Sequence, residues 1–232
     1  MREHDNANQN GIPEVFRIKD CALIALATGS RAGTLKELRD NLLSTSEASI
    51  YYHFWGSLLH PRFTEREYNN DFASWSARSL HDGVLAERLA VIDPTEFGSL
   101  EAMRQELLEI VEERLDEKEY FPWLVASDAF EFMRSQIVVF DTGKQAASPE
   151  ELAALLPEIT TSSIFYHFID ARRRLQGRQT DDFSSWLSGF PEPRAELCAR
   201  LSAIDPYFGS LGELKSTVAK FFCEEFSRKE DL

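Results

Sequence analysis

Five blocks of this chain occur twice, in the same order, and that repetition restricts the fold more than any other feature. Thr28-Gly29 returns as Thr142-Gly143, and Ser49-Ile50-Tyr51-Tyr52-His53-Phe54 returns as Ser163-Ile164-Phe165-Tyr166-His167-Phe168. Asp71-Phe72-Ala73-Ser74-Trp75 matches Asp182-Phe183-Ser184-Ser185-Trp186, and Arg88-Leu89 through Asp93-Pro94 matches Arg200-Leu201 through Asp205-Pro206. Phe97-Gly98-Ser99-Leu100 closes the series against Phe208-Gly209-Ser210-Leu211. The offset is 114 at the first two blocks and 111 or 112 afterwards, so only small loop changes separate the copies. Five matching blocks in one order are hard to obtain by chance and mark two copies of one domain. The first copy is expected over residues 14–118 and the second over 128–229, after a polar tail at 1–13. Residues 119–127 are expected as a packed linker, because Tyr120-Phe121-Pro122-Trp123 is aromatic rather than rich in Gly and Ser.

Within each copy most signals are helical. Thr34 with Glu37, and Ser148 with Glu151, are capping boxes, and Pro149 suits a first helical position. Leu35, Leu38 and Leu42 follow with apolar spacings of three and four. A second helix from Ser46 or Thr160 carries the Tyr-His pair. A third is expected after Asp71 and Asp182, read as N-caps, a fourth before the Ile-Asp-Pro turns, and a last one from Ser99 and Ser210. The opening of each copy is ambiguous: Ile137-Val138-Val139-Phe140 favours a strand, while Ala22-Leu23-Ile24-Ala25-Leu26-Ala27 favours a helix. The Thr-Gly pairs suit a helix end or a tight turn. The expected fold is mainly α, two tandem homologous helical domains related by a pseudo-two-fold, with room for one short strand in each.

Charge narrows the partners. The chain carries 25 basic and 39 acidic residues, a net charge of −14, and neither half is basic. Affinity for nucleic acid rests on neutralising phosphates, so this balance opposes it. The densest cationic run, Arg172-Arg173-Arg174 with Arg178 nearby, is local to the second copy and reads as a solvated helix face in preference to an anion site. Cys21, Cys198 and Cys223 have neither the spacing of a zinc site nor an even count for a disulfide framework. No signal-peptide-like or membrane-spanning stretch is read, and a cytoplasmic location is expected.

The titratable residues shared by both copies are few. Capping accounts for Glu37 and Glu151, and turn formation before proline for Asp93 and Asp205. Tyr52, His53 and Arg88, with Tyr166, His167 and Arg200, lack such a local reason and become candidate ligand-binding residues together with Asp71 and Asp182. A histidine in an apolar helical stretch is more often a satisfied core residue than a reactive one. The functional alternative has each histidine held at one nitrogen by a carboxylate, Asp71 or Asp182, leaving the other nitrogen as base or ligand. No metal or cofactor is implied: His53 and His60 stand seven residues apart, two helical turns, and Arg174 replaces His60 in the second copy. Trp75 and Trp186, near Phe72 and Phe183, read as core packing, or otherwise as an aromatic wall for a ligand. No Gly-rich phosphate loop, H-E-x-x-H or G-x-S-x-G motif occurs.

Two resemblances follow. Thr34 to Phe54 has the shape of a helix-turn-helix, and Ile50-Tyr51-Tyr52-His53-Phe54 resembles the end of the recognition helix in tetracycline-repressor-like regulators. The turn lacks a glycine, however, and the helix would present Ser46, Glu47, Ala48 and Ser49, with no Arg or Lys to read bases. The whole repeat, through its Ile-Tyr-Tyr-His, Asn70-Asp71-Phe72-Ala73-x-Trp75 and Ile-Asp-Pro blocks, resembles an uncharacterised prokaryotic family of domains of unknown function. That family often carries further histidines after the Tyr-His pair, where this chain has Phe54-Trp55 and Phe168-Ile169, and the resemblance implies no activity. The resulting expectation is a non-enzymatic binding or regulatory module with a protein or small-molecule partner near the Tyr-His helices. A His/Asp acid-base enzyme at the same helices is the alternative, with DNA binding third.

Overall fold

Phe16 and Ile18 are buried while Arg17 is exposed, and Phe130 and Phe132 are buried while Glu131 is exposed. That period of two belongs to a strand with one face covered. In the computed structural model, which describes residues 14–59, 67–117, 124–174, 180–191, 194–207 and 209–227, these residues open two long strands. Strand β1 is Phe16–Thr34 and β2 is Val125–Ala146, paired antiparallel as a two-stranded sheet. The tail at 1–13, linker residues 119–123 and positions 228–229 lie outside the described residues, as do His60, Arg178 and Phe208.

The helices of the first repeat are α1 (Leu35–Leu42), α2 (Glu47–Trp55), α3 (Asp71–Arg78), α4 (Gly83–Ala90) and α5 (Leu100–Asp116). Those of the second are α6 (Pro149–Leu155), α7 (Thr161–Ile164), α8 (Ala171–Arg174), α9 (Asp182–Leu187), α10 (Ala195–Ser202) and α11 (Leu211–Ser227). A π-helical stretch, Phe165–Asp170, joins α7 to α8, where the first repeat has α-helix as far as Trp55 and then a 3-10 helix, Gly56–Leu59. Both capping pairs form with the return bond one residue earlier than in the standard box: the Glu37 N–H donates to the N-cap Thr34 Oγ1 at 3.2 Å, and Glu37 accepts from the N–H of the preceding Gly33 at 2.7 Å. Ser148 and Glu151 repeat the pattern with the Ala147 N–H.

The chain is therefore not a mainly α pair of tandem domains. It divides into two compact units, Leu23–Ile137 and Met1–Ala22 with Val138–Leu232. Each contains one Tyr-His pair, Tyr52-His53 in the first and Tyr166-His167 in the second. The Tyr52 unit joins the first repeat's helices to the opening of β2, and the Tyr166 unit joins the second repeat's helices to the opening of β1. Each set of helices thus closes on the strand that begins the other repeat. The run from Ala22 to Ala27 is strand despite its helix-forming composition, because pairing with β2 supplies the backbone hydrogen bonds that outweigh propensity. The two Thr-Gly pairs sit inside strands, not at helix ends. Gly29 and Gly143 have φ of +81° and +74°, a conformation bulges use and side chains resist. The preceding threonines tie these positions to the facing strand: Thr28 Oγ1 donates to the Phe132 carbonyl at 2.7 Å, and Thr142 Oγ1 to the Ile18 carbonyl at 2.6 Å.

Aromatic packing seats each strand opening. In the Tyr52 unit the Phe130 ring stacks on Phe72 at 4.9 Å, and Trp75 donates its indole N–H to the Asp128 carbonyl at 2.7 Å. In the Tyr166 unit Phe16 stacks on Phe183 at 5.3 Å, and Trp186 donates to the Glu14 carbonyl at 2.7 Å. Among the described residues no helix is long and apolar enough to cross a membrane.

Candidate functional site

The third helix of each repeat is capped one residue earlier than the sequence suggested. Asn70 Oδ1 accepts from the Ala73 N–H at 2.8 Å, and Asp181 Oδ1 from the Ser184 N–H at 2.8 Å. Asp71 and Asp182 are thereby released from capping and become the first helical residues. Each turns its carboxylate to a histidine on the neighbouring Tyr-His helix: His53 Nδ1 to Asp71 Oδ2 is 3.0 Å, and His167 Nδ1 to Asp182 Oδ2 is 2.8 Å.

The other ring nitrogen is engaged too. His53 Nε2 accepts from the Met133 N–H at 3.1 Å, and His167 Nε2 from the Lys19 N–H at 2.9 Å. A nitrogen that accepts carries no proton, so the neutral imidazole holds its proton on Nδ1 and donates it to the aspartate. Each histidine thus clips a strand to a helix through both nitrogens. Both are buried, at 2% and 3% exposure, against phenylalanine rings: His53 against Phe72 and Phe130, His167 against Phe16 and Phe183.

Tyr52, His53 and Asp71 converge with Ser74, Trp75 and Arg78 on an open cleft of about 330 Å³, walled on one side by the opening of β2. Burial, followed by the Asp71 charge, pushes the Tyr52 hydroxyl above its ordinary range, so it stays protonated at neutral pH. The Asp71 side chain remains 38% exposed, twice the 19% of Asp182. In the Tyr166 unit the corresponding carboxylate is covered by Arg174, whose Nη2 donates to Asp182 Oδ2 at 2.9 Å.

Two of the candidates do not join either constellation. Arg88 pairs with Glu117 at 2.6 Å, and Arg200 pairs with Glu224 at 2.5 Å while covering the Phe221 ring. Both tie a fourth helix to a last one. The Arg172–Arg174 run is a solvated face only in part: Arg173 is exposed, but Arg173 and Arg174 pair with the buried Asp170, and Arg172 lies over the Phe168 ring. Among the described residues no group of three His, Cys, Asp or Glu side chains stands together as metal ligands would. Burial pushes the Cys21 thiol up to about 12, with Asp170 and Asp20 adding to the shift, so it remains an unreactive thiol.

Asp181 yields a pH-dependent prediction. Burial raises its carboxyl above the ordinary value, against the lowering effect of the Ser184 hydroxyl and N–H and of Arg172; Cys198 is a further titratable neighbour. A raised carboxyl favours the fold while protonated and loses that contribution as pH rises through the folded value. Asn70 does the same capping without a charge and donates Nδ2 to the Leu89 carbonyl at 2.9 Å. Asp181→Asn is therefore expected to raise stability at pH 7 by up to about 1 kcal/mol, the scale of one hydrogen-bonded polar group. The gain should shrink as pH falls and vanish only below the ordinary carboxyl value of 3.8, as followed by urea denaturation at pH 7 and at about pH 3.

A buried histidine that clips a strand to a helix and pairs with a carboxylate, built twice on exchanged strands, defines a class of duplicated α+β domain. The sequence matches, over residues 13–223, the family described as a family of unknown function, DUF5752, and the chain belongs to that family. It is also similar to a solved structure titled "The structure of OrfY from Thermoproteus tenax". That chain is 29% identical, with a TM-score of 0.79 over 92% of this chain and 96% of the other. No curated protein matches the sequence.

Proposed function

We propose that the chain is a non-catalytic binding module whose ligand enters the cleft of the Tyr52 unit. The observation that carries this reading is the division of labour between His53 and Asp71. The histidine has both nitrogens engaged and serves the strand, whereas the carboxylate keeps much of its surface at the cleft. A histidine in that state accepts a substrate proton only by dropping the Met133 N–H, which argues against the acid-base enzyme. The DNA reading fares no better. Ser49, Ile50, Tyr51, His53, Phe54 and Trp55 of α2 are buried, and Ser49 Oγ donates to the Met133 carbonyl at 2.6 Å.

The test is a thermal-shift screen of the full chain against metabolites and short peptides. A cleft ligand present at 100 times its Kd adds about 2.7 kcal/mol. The expected result is a saturable shift that disappears in Ser74→Trp, which fills the cleft and leaves the His53–Asp71 bond alone. A hit that survives this change, or is turned over by the protein, would overturn the reading.

A further inference from the structure

The Tyr166 unit contains an occupied version of the constellation that, among the described residues, the Tyr52 unit leaves open. The Arg174 guanidinium carbon lies 3.9 Å from the centroid of the Tyr166 ring, a cation–π distance. Its Nη2 donates to Asp182 Oδ2 and to the Tyr166 carbonyl, both at 2.9 Å, and its Nε donates to Asp170 Oδ2 at 2.9 Å. Asp182 Oδ2 thus serves His167 and a guanidinium at once.

The Tyr52 unit keeps the same tyrosine, histidine and aspartate, but its repeat has His60 at the position of Arg174 and Gly56 at that of Asp170. Among the described residues, Asp71 has only His53 as a hydrogen-bonding partner. The wall changes sign as well: Glu131 lines the cleft where the second site's strand has Arg17. Arg78, the cleft's own cation, is paired with Glu67 at 3.3 Å.

We infer that the Tyr52 cleft binds a guanidinium group, stacked on Tyr52 and paired with Asp71 as Arg174 is stacked on Tyr166 and paired with Asp182. The inference rests on the cleft being a binding site and names the chemistry of its ligand. A flat guanidinium is favoured over an ammonium because it stacks on an aromatic face while donating sideways to a carboxylate. Gly56 removes one of the acceptors available to Arg174, so the complex is weaker than its internal counterpart. The group has two sources, a small guanidino compound or an arginine side chain of a protein partner.

Isothermal titration of the full chain compares agmatine with putrescine, and an acetyl-Gly-Arg-Gly-amide peptide with its lysine counterpart. Guanidinium probes are expected to bind at one site per chain, at least about tenfold more tightly than the ammonium probes. Agmatine matching the peptide would assign a small molecule, and a peptide several-fold tighter would assign a partner's arginine. Tyr52→Leu and Ser74→Trp should abolish binding, the second without touching the His53–Asp71 bond, whereas Asp182→Asn should not. Arg174→Ala vacates the second site, so agmatine stoichiometry should rise from one to two. Equal affinity for arginine and lysine probes, or an unchanged stoichiometry in Arg174→Ala, overturns the guanidinium assignment. If a different ligand then proves sensitive to Ser74→Trp, the binding-module reading stands; if no cleft ligand appears, both fail.

Discussion

Replacing Arg114 with methionine should destabilise the Tyr52 unit by about 3–5 kcal/mol, the cost of stranding a buried charge. Asp82 caps α4 by accepting the Leu85 N–H at 3.1 Å, and both its oxygens accept from Arg114, Oδ2 from Nε and Oδ1 from Nη2, each at 2.8 Å. Both residues are buried, and Arg114 reaches on to Glu117, which Arg88 also holds. Burial alone would raise the Asp82 carboxyl, but the two Arg114 bonds and the helix N–H groups outweigh it and lower it. A lowered carboxyl contributes stability above its unfolded value, near 4, and loses it as pH falls through the folded value. The deficit of Arg114→Met in urea denaturation should therefore be full at pH 7 and shrink in acid. Asp82→Asn added to Arg114→Met should recover part of it, since the stranded charge is gone. A deficit under about 1 kcal/mol at pH 7 would show that water reaches the carboxylate and that the pair holds little.

Truncating Phe130 to alanine should cost a similar amount, about 3–5 kcal/mol, by opening a cavity in the aromatic cluster. Its ring touches His53 at 4.6 Å, Phe72 and Phe132 at 4.9 Å, and Trp75 at 5.8 Å. Phe16 has the corresponding place against His167, Phe183 and Trp186. The distinguishing measurement is amide hydrogen exchange. Phe130→Ala should accelerate the Met133 amide, which donates to His53, more than the Lys19 amide, which donates to His167. Phe16→Ala should reverse the order. Equal acceleration of both amides in either variant would mean that the phenylalanines do not seat the strands locally.

Much of the helical framework was legible because its signals are local. A hydroxyl and a glutamate three residues apart make the capping boxes at Thr34 and Ser148, and Asp93 and Asp205 make turns through the N–H groups of Thr95 and Tyr207. Asp71 and Asp182 looked like caps, whereas Asn70 and Asp181 take that role. The doublets Asn70-Asp71 and Asp181-Asp182 held the clue, since only the earlier residue of each leaves an aspartate to meet the histidine. The strands were harder to read. Beyond Ala22, β1 is largely exposed until Ala32, so no burial alternation accompanies its extended backbone, and Ala and Leu argue locally for a helix. The partners of Arg88 and Arg200, Glu117 and Glu224, lie more than twenty residues away, outside any local pattern. The exchange of strands was invisible for a deeper reason. Homologous repeats present the same apolar positions, Phe16 and Phe130, to the same histidines, so own-repeat and exchanged pairings bury equivalent residues.

That crossing of strands makes the two gene segments mutually dependent. A polypeptide ending after α5 would carry His53 without the Met133 amide it accepts from, and Phe16 without the rings that enclose it. The remaining polypeptide would have the reciprocal deficit. Each segment lacks what the other encodes, so losing or exchanging either one alone breaks these contacts. Such interlocking preserves a duplication even where one copy has filled its cleft with its own arginine.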